Sequence, residues 1–345
     1  MTNIVKQTAG IDVAQNELVV TLGRMSHDTG VDIFAFKTFV NNEKGFEGLV
    51  AWVNKLAVKG TAVRYVMEAT GVYHEKLAYY LSDHQQAVSI VLPNKISNYF
   101  RTLDIKTITD KTASQAICRF GLERKLEVWQ KPKKIFKDLK QLTRERDQLI
   151  TDRTVLKNQL HAEKAEAFPN DSSISRVTKR IRLIDEQELE IRAEIAELIK
   201  KDTGLVKKIN TITTIPGVGK LTAVIVLAET NGFELIRSKK QLVSYAGLDV
   251  SLKDSGTSVK GKPKISKRGN RHLRKAMHMP ALSAMRFNEQ HKALFVRLVS
   301  KHGIKMKAAV AVQRKILELI YTIYKTDKAF DKDYIMTKYQ TTINS

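Results

Sequence analysis

The sequence predicts an α/β domain joined to an all-α remainder. Residues 1–130 alternate β-branched, aromatic stretches with segments of helical period; residues 131–203 switch to long charge-rich helical pattern; residues 204–345 are helical around a glycine turn and a basic loop. At 345 residues there is room for two or three domains of roughly 100–200 residues each, and boundaries at 130/131 and 203/204 follow these changes of texture.

Within the first domain, 9–13, 17–22 and 33–40 read as three antiparallel strands punctuated by Gly and Asp. A helix over 43–58, a strand over 62–67 ending at Glu68, a helix over 72–82, a strand over 88–92 and a helix over 109–123 follow. A hairpin-led sheet whose later strands are separated by helices is the ribonuclease H-like order. Its acids fall at element ends: Asp12 in the first strand, Glu68 closing a buried one, Asp110 opening the last helix. Carboxylates so placed converge on hard divalent cations, and two such ions about 4 Å apart serve phosphoryl transfer. Singly, Asp12 fits a turn former and Asp110 a helix cap equally well. Cys118, in a helical pattern beside Ile117 and Phe120, is expected to be buried; one cysteine excludes internal disulfides and a cysteine-based zinc site.

Between 133 and 200 two apolar stripes, Ile135 to Leu160 and Ile181 to Leu198, are interrupted by Phe168-Pro169-Asn170-Asp171-Ser172-Ser173. They predict a helical hairpin, a coiled-coil spacer or dimer arm. Next, Ile215-Pro216-Gly217-Val218-Gly219-Lys220 carries the helix-hairpin-helix signature, whose glycines let backbone N–H groups approach a phosphate; Pro216, Gly217, Gly219 and Lys220 are the candidate contacts. A glycine-rich turn between core helices is the plain alternative. Helices are then expected over 271–287 and 303–324. The spacing of His272, His278 and His291 fits no zinc motif, which leaves packing or phosphate contacts.

The stretch from Tyr245 to Met277 is acid-free after Asp254 and gathers Lys260, Lys262, Lys264, Lys267, Arg268, Arg271, Arg274 and Lys275. Ser255 stands at its hinge, in Ser255-Gly256-Thr257-Ser258, a composition that forbids regular helix. Such a serine has the chemistry of a nucleophile on a phosphodiester, since neighbouring cations stabilise charge on the phosphoryl oxygens. It is also an ordinary turn. Across the chain 59 Lys+Arg against 36 Asp+Glu give a formal net charge of +23, which points to nucleic acid. No run of about 18 apolar residues and no leader pattern is found, so a cytosolic protein without a membrane partner is expected.

Together these segments resemble the DEDD transposases of the insertion sequence 110 and Piv recombinase type. The likeness rests on Gly10-Ile11-Asp12-Val13-Ala14, Met67-Glu68-Ala69-Thr70-Gly71, Asp110-Lys111-Thr112, Ile215 to Gly219, Ala246-Gly247-Leu248, Ser255-Gly256 and Ile265 to Asn270. It implies a RuvC-like domain holding Mg2+ (or Mn2+) on Asp12, Glu68 and Asp110, and a C-terminal transposase domain whose Ser255 attacks DNA and forms a transient phosphoserine link. It also implies DNA element ends and target as substrates, a structured non-coding guide RNA as a partner in one branch, and a homodimer or homotetramer in the cytoplasm, on the nucleoid when DNA-bound. One position departs from the family pattern. The fourth acid normally falls three residues after the third, where this chain has Ala113. Alanine binds no metal, so impaired recombination is expected, through an inactivating or natural change, unless Asp104 substitutes. A RuvC-like junction nuclease and a catalytically dead nucleic-acid binder are the competing readings.

Overall fold

The computed structural model describes residues 4–332, except Thr29, Thr70, Asp104, Lys106, Leu235, Lys253, residues 256–258 and Lys262; at Ser255, Val259 and Lys260 only the backbone is described. The chain folds as two units, Met1–Lys131 and Pro132–Ser345.

In the first unit, β1 (Ile4–Val13), β2 (Glu17–Ser26) and β3 (Val31–Val40) form an antiparallel meander. After α1 (Glu43–Leu56), β4 (Val63–Glu68) returns parallel to β1; after α2 (Glu75–Asp83), β5 (Ala87–Val91) lies parallel to β4. The order is β3-β2-β1-β4-β5, the hairpin-led arrangement that the strand pattern anticipates. α3 (Pro93–Phe100) and α4 (Asp110–Glu123) complete the unit. α3 is too short for a periodic signal, but Pro93 opens it at a first-turn position where its missing N–H costs nothing. α2 begins three residues later than the pattern suggests, because 72–74 form a turn in which Val72 O accepts from Glu75 N.

Alternation along the strands divides the core between two faces of the sheet. Ile11, Tyr65 and Met67 pack with Phe46 and Leu49 of α1 and Leu77 and Leu81 of α2. Val66 and Val91 pack with Ile96 and Tyr99 of α3 and Ile117 and Phe120 of α4. Gly10 permits the second layer: a Cβ there would lie 2.2 Å from the backbone nitrogen of Cys118, so only glycine admits α4 this close. Cys118 is fully buried as expected, donates to Thr8 O at 3.2 Å, and burial pushes its thiol pKa up to about 12.

The second unit opens with α5 (Lys134–Lys164) and α6 (Asp171–Lys200), which pack on each other and are joined by 165–170. Arg146 and Arg153 of α5 both meet Glu188 of α6 at 2.7 Å, and Arg153 also meets Asp185 at 2.6 Å. The start of α5 belongs to a larger core, where Phe136, Leu139 and Leu142 join α7 (Thr203–Ile212), α8 (Lys220–Glu229), α9 (Lys239–Tyr245) and the last helix. Four two-residue strands follow: β6 (Val250–Ser251), β7 (Asp254–Ser255), β8 (Val259–Lys260) and β9 (Lys264–Ile265). Then come α10 (Arg271–Ala276), α11 (His278–Phe287), α12 (Glu289–His302) and α13 (Lys305–Thr326). The single helix expected over 271–287 is thus two. Pro280 lacks an N–H and its ring crowds the carbonyl four residues back, which breaks the helix at Ala276–Met277.

Candidate functional site

In the first unit the parallel register puts two acids side by side. Ile11 pairs with Met67, so Asp12 and Glu68, one residue on, sit together at the carboxyl ends of β1 and β4. Asp12 shares strand parity with Thr8 and Gly10, and Glu68 with Val66; both therefore face the α4 layer. On that layer Ser114 Oγ lies 2.7 Å from Thr21 Oγ1, and Thr21 pairs with Gly10, which sets the first turn of α4 over this end of the sheet. Asp110 occupies that turn, just after Thr109, whose side chain caps the helix by accepting from Thr112 N at 3.2 Å.

The consequence is electrostatic. Burial, then the charge of Asp110, then that of Glu68 raise the Asp12 pKa from 3.8 to about 6, against a lowering backbone bond at Val13. Ala113 falls three residues after Asp110, on the same side of the first turn, with its N–H bonded to Thr109 O at 2.8 Å. Carboxylate oxygens held against mutual repulsion are the donor set that a hard divalent cation relieves. Among the described residues no three His, Cys, Asp or Glu already stand as a metal cluster, so holding an ion requires these side chains to draw inward. Asp104, the possible substitute for the missing acid, lies outside the described residues.

In the second unit the basic stretch folds as two nested antiparallel ribbons: Val250 pairs with Ile265 and Ser251 with Lys264, while Asp254 pairs with Lys260 and Ser255 with Val259. Its base is held by main-chain bonds from Ser266 N to Asp249 O (2.8 Å), Lys267 N to Gly247 O (3.1 Å) and Asn270 N to Tyr245 O (2.7 Å). Below it lies a carboxylate that sequence reasoning missed. Glu229, its side chain 0% exposed, receives Arg144 Nε at 2.7 Å and Nη2 at 2.9 Å, and Asn270 Nδ2 at 2.6 Å. Asn270 Oδ1 also caps α10 by accepting from Leu273 N at 3.0 Å. Burial alone would raise the Glu229 pKa, but the bonds from Arg144 and Asn270 outweigh it and hold the pKa below the ordinary value. The legible signal was one acid ending an otherwise apolar helix, Lys220 to Glu229.

The candidate nucleic-acid residues divide. Lys264, Lys267 and Arg268 are exposed on the loop, and Arg271 is exposed at the start of α10. Arg274 instead turns inward and donates to Ala246 O at 2.8 Å. The side chains of Ser255 and Lys260, and all of Lys262, lie outside the described residues. In the predicted helix-hairpin-helix segment the two glycines behave differently. Gly217, at φ +91°, is pressed against α11, where a Cβ would lie 2.7 Å from Pro280 O. Gly219 caps α8 without a side-chain bond, and a Cβ there would meet nothing within 4 Å. Pro216 leads into this turn and Lys220 stands exposed beside its open end. The histidines pack internally: His291 is bonded to Asn288, His278 to Gln313, and His272 lies 3.5 Å from Asp147.

Two family profiles match the chain. Residues 9–169 match one described as Transposase, of the DEDD insertion-element 110 type, and residues 209–296 match Transposase IS116/IS110/IS902 family. The pilin gene-inverting proteins of Moraxella bovis and Moraxella lacunata are each 31% identical over 335 residues, covering 95% of this chain and 98% of theirs. Among solved structures, Thermus thermophilus RuvC in complex with a Holliday junction substrate aligns over 36% of this chain and 99% of its own, at 8% identity and a TM-score of 0.27. Family profiles on both units and relatives along nearly the whole length lead to one conclusion: the chain belongs to the insertion sequence 110 family of DEDD transposases, to which the Piv-type gene-inverting proteins are similar.

Proposed function

We propose that this protein is a DNA transposase or site-specific recombinase that cuts and rejoins DNA, with residues 1–130 as a RuvC-like metal-dependent domain, 131–203 as a coiled-coil arm and 204–345 as the transposase domain. The observation that carries the reading is the crowding of Asp12, Glu68 and Asp110 at one end of the sheet, felt as the raised pKa of Asp12. A bound Mg2+ or Mn2+ would supply charge neutralisation at a phosphate and activation of an attacking oxygen. Asp12, Glu68 and Asp110 would hold it, and Asp12 supplies its negative charge increasingly as pH rises through about 6.

Ser255 is the proposed nucleophile. Its Oγ–H proton leaves as Oγ bonds to phosphorus, the bond from phosphorus to the leaving sugar oxygen breaks, and that oxygen takes a proton. Attack of a new DNA hydroxyl on the phosphoserine reverses the sequence and frees the serine. Lys264, Lys267, Arg268 and Arg271 neutralise the phosphates of element ends and target, and the α8 turn with Pro216, Gly219 and Lys220 grips backbone without reading sequence. A guide non-coding RNA supplies the sequence choice in this proposal, and the protein acts as a homodimer or homotetramer in the cytoplasm.

Ala113 favours a second reading, a DNA-binding protein that recombines poorly, since one carboxylate of the family's four is missing from the first turn of α4. The experiment is covalent trapping with Mg2+, labelled element-end DNA and flanking RNA, comparing the chain with Ala113→Asp and each with Ser255→Ala. A denaturation-resistant protein–DNA band in Ala113→Asp, lost with Ser255→Ala, is expected. Cleavage without an adduct that survives Ser255→Ala would transfer the chemistry to the carboxylates alone, as in a junction nuclease.

A further inference from the structure

The edge strand β3 and helix α4 carry features that the carboxylate cluster does not use. Phe36 pairs with Thr21, and Thr21 with Gly10, so the Phe36 ring stands on the same face of the sheet as Asp12. It is 42% exposed. Lys111, the residue after Asp110, places its Nζ 5.1 Å from the centre of that ring. Further along, Val31 and Ile33 of β3 and Gln115, Ala116 and Arg119 of α4 line a groove of roughly 230 Å³. Lys111, Gln115 and Arg119 follow one another at four-residue spacing, a single row on the helix. Arg119 Nε is buried without a hydrogen-bond partner among the described residues, 3.8 Å from Glu123, while the Arg119 side chain as a whole is 43% exposed and can offer the rest of its guanidinium outward.

A row of long polar and cationic side chains facing an apolar strand with an exposed aromatic suits one ligand class. Unpaired nucleic acid presents base faces to stack and phosphates to neutralise along the same line. A duplex presents only phosphate there, because its bases are stacked on each other. The Lys111 cation over an exposed ring is held weakly, whereas a stacked base is held more strongly. A base therefore displaces Lys111 from the ring and frees it for the adjoining phosphate.

We propose that β3 and the Lys111–Gln115–Arg119 row of α4 bind a stretch of unpaired DNA leading to the carboxylates, with a base on Phe36 and phosphates on Lys111 and Arg119. The inference rests on the reading of Asp12, Glu68 and Asp110 as the place where a DNA strand is acted on. It requires that DNA be opened locally before a phosphate reaches them.

The test uses the full-length protein without divalent ions, so that binding is read apart from cleavage. Probes are a single-stranded oligonucleotide carrying 2-aminopurine and the same strand in a complete duplex, followed by fluorescence and anisotropy. Phe36→Ala is expected to weaken single-strand binding about tenfold, the size of one base–aromatic stack, and to remove the 2-aminopurine quenching, with duplex binding unchanged. Phe36→Trp restores both. Lys111→Met, at an exposed position that does not threaten folding, weakens single-strand binding and lowers its salt slope by about one ion. The proposal is overturned if folded Phe36→Ala binds the single strand as tightly as the parent, or if single strand and duplex weaken equally. Absence of any protein–DNA adduct would sink the recombinase reading while leaving this result standing; an adduct formed by a Phe36→Ala protein with unaltered single-strand binding would sink only the present inference.

Discussion

Two sheltered carboxylates, one in each unit, are shifted in opposite directions. Asp12 is buried beside like charges and its pKa rises to about 6; Glu229 is buried more completely, yet Arg144 and Asn270 bring its pKa down. The difference lies in what the fold places alongside. Glu229 receives a two-pronged guanidinium and an amide donor, and its work is to fix α5, α8 and the start of α10 under the basic loop. Asp12 is set against Glu68 and Asp110, and burial beside these like charges disfavours its ionised form, a cost to stability that a nearby positive charge would relieve.

The comparison breaks most severely at Arg144. Arg144→Met leaves Glu229 charged, buried and without its cation, and should cost about 3 kcal/mol in chemical denaturation, the low end for a broken buried pair because Arg144 is itself 43% exposed. A Glu229→Gln, Arg144→Met double variant recovers part of that loss if the cost is the uncompensated charge. Gly10→Ala comes next, at roughly 2–3 kcal/mol by the same measurement, since its Cβ would collide with the Cys118 backbone and lift the helix that carries Asp110. That displacement should also bring the Asp12 pKa back toward 3.8, readable by carboxyl NMR titration. Asp12→Asn goes the other way. A carboxylate whose folded pKa is raised supports the fold below pH 3.8 and ceases to as pH climbs through about 6, so at pH 8 without metal the asparagine variant should be more stable by about 2 kcal/mol. Magnesium should raise the melting temperature of the parent and not of the variant. The smallest effect belongs to His291. Burial holds its pKa below 6.5, so the unfolded chain takes up the proton first and stability falls as pH drops below 6.5, by at most about 1.4 kcal/mol per pH unit. His291→Gln should flatten that limb of a pH series of melts.

Legibility followed the physical origin of each element. The five strands were readable because β-branched alternation is a local property, and the placing of Asp12 and Glu68 on adjacent strand ends came with them. Their common orientation toward α4 was not, since it depends on a cross-strand register that begins at Gln7↔Val63 and leaves no local trace. α3 and α12 escaped because one is eight residues long and the other, with only His291 buried, lacks a continuous apolar stripe. Glu229 was hidden for a different reason: the residue that makes it tolerable, Arg144, is 85 positions away in a helix whose charge looked like an ordinary solvated surface. Arg274 looked like one more phosphate contact in a basic run, and only the fold turns it to the Ala246 carbonyl.

The unbroken course of α5 has a mechanical consequence. Its 31 residues extend about 46 Å without a proline or glycine hinge, and its first turns are embedded in the core through Phe136, Leu139 and Leu142. Arg144 lies on the same rod, ten residues from its start. A lateral load at the far end, where Phe168 is 92% exposed, acts on a lever whose short arm is seated on Glu229 and, through Asn270, on the footing of the serine ribbon. Shortening the helical pair from its tip should leave that seat intact, whereas excising it at the root removes the fulcrum.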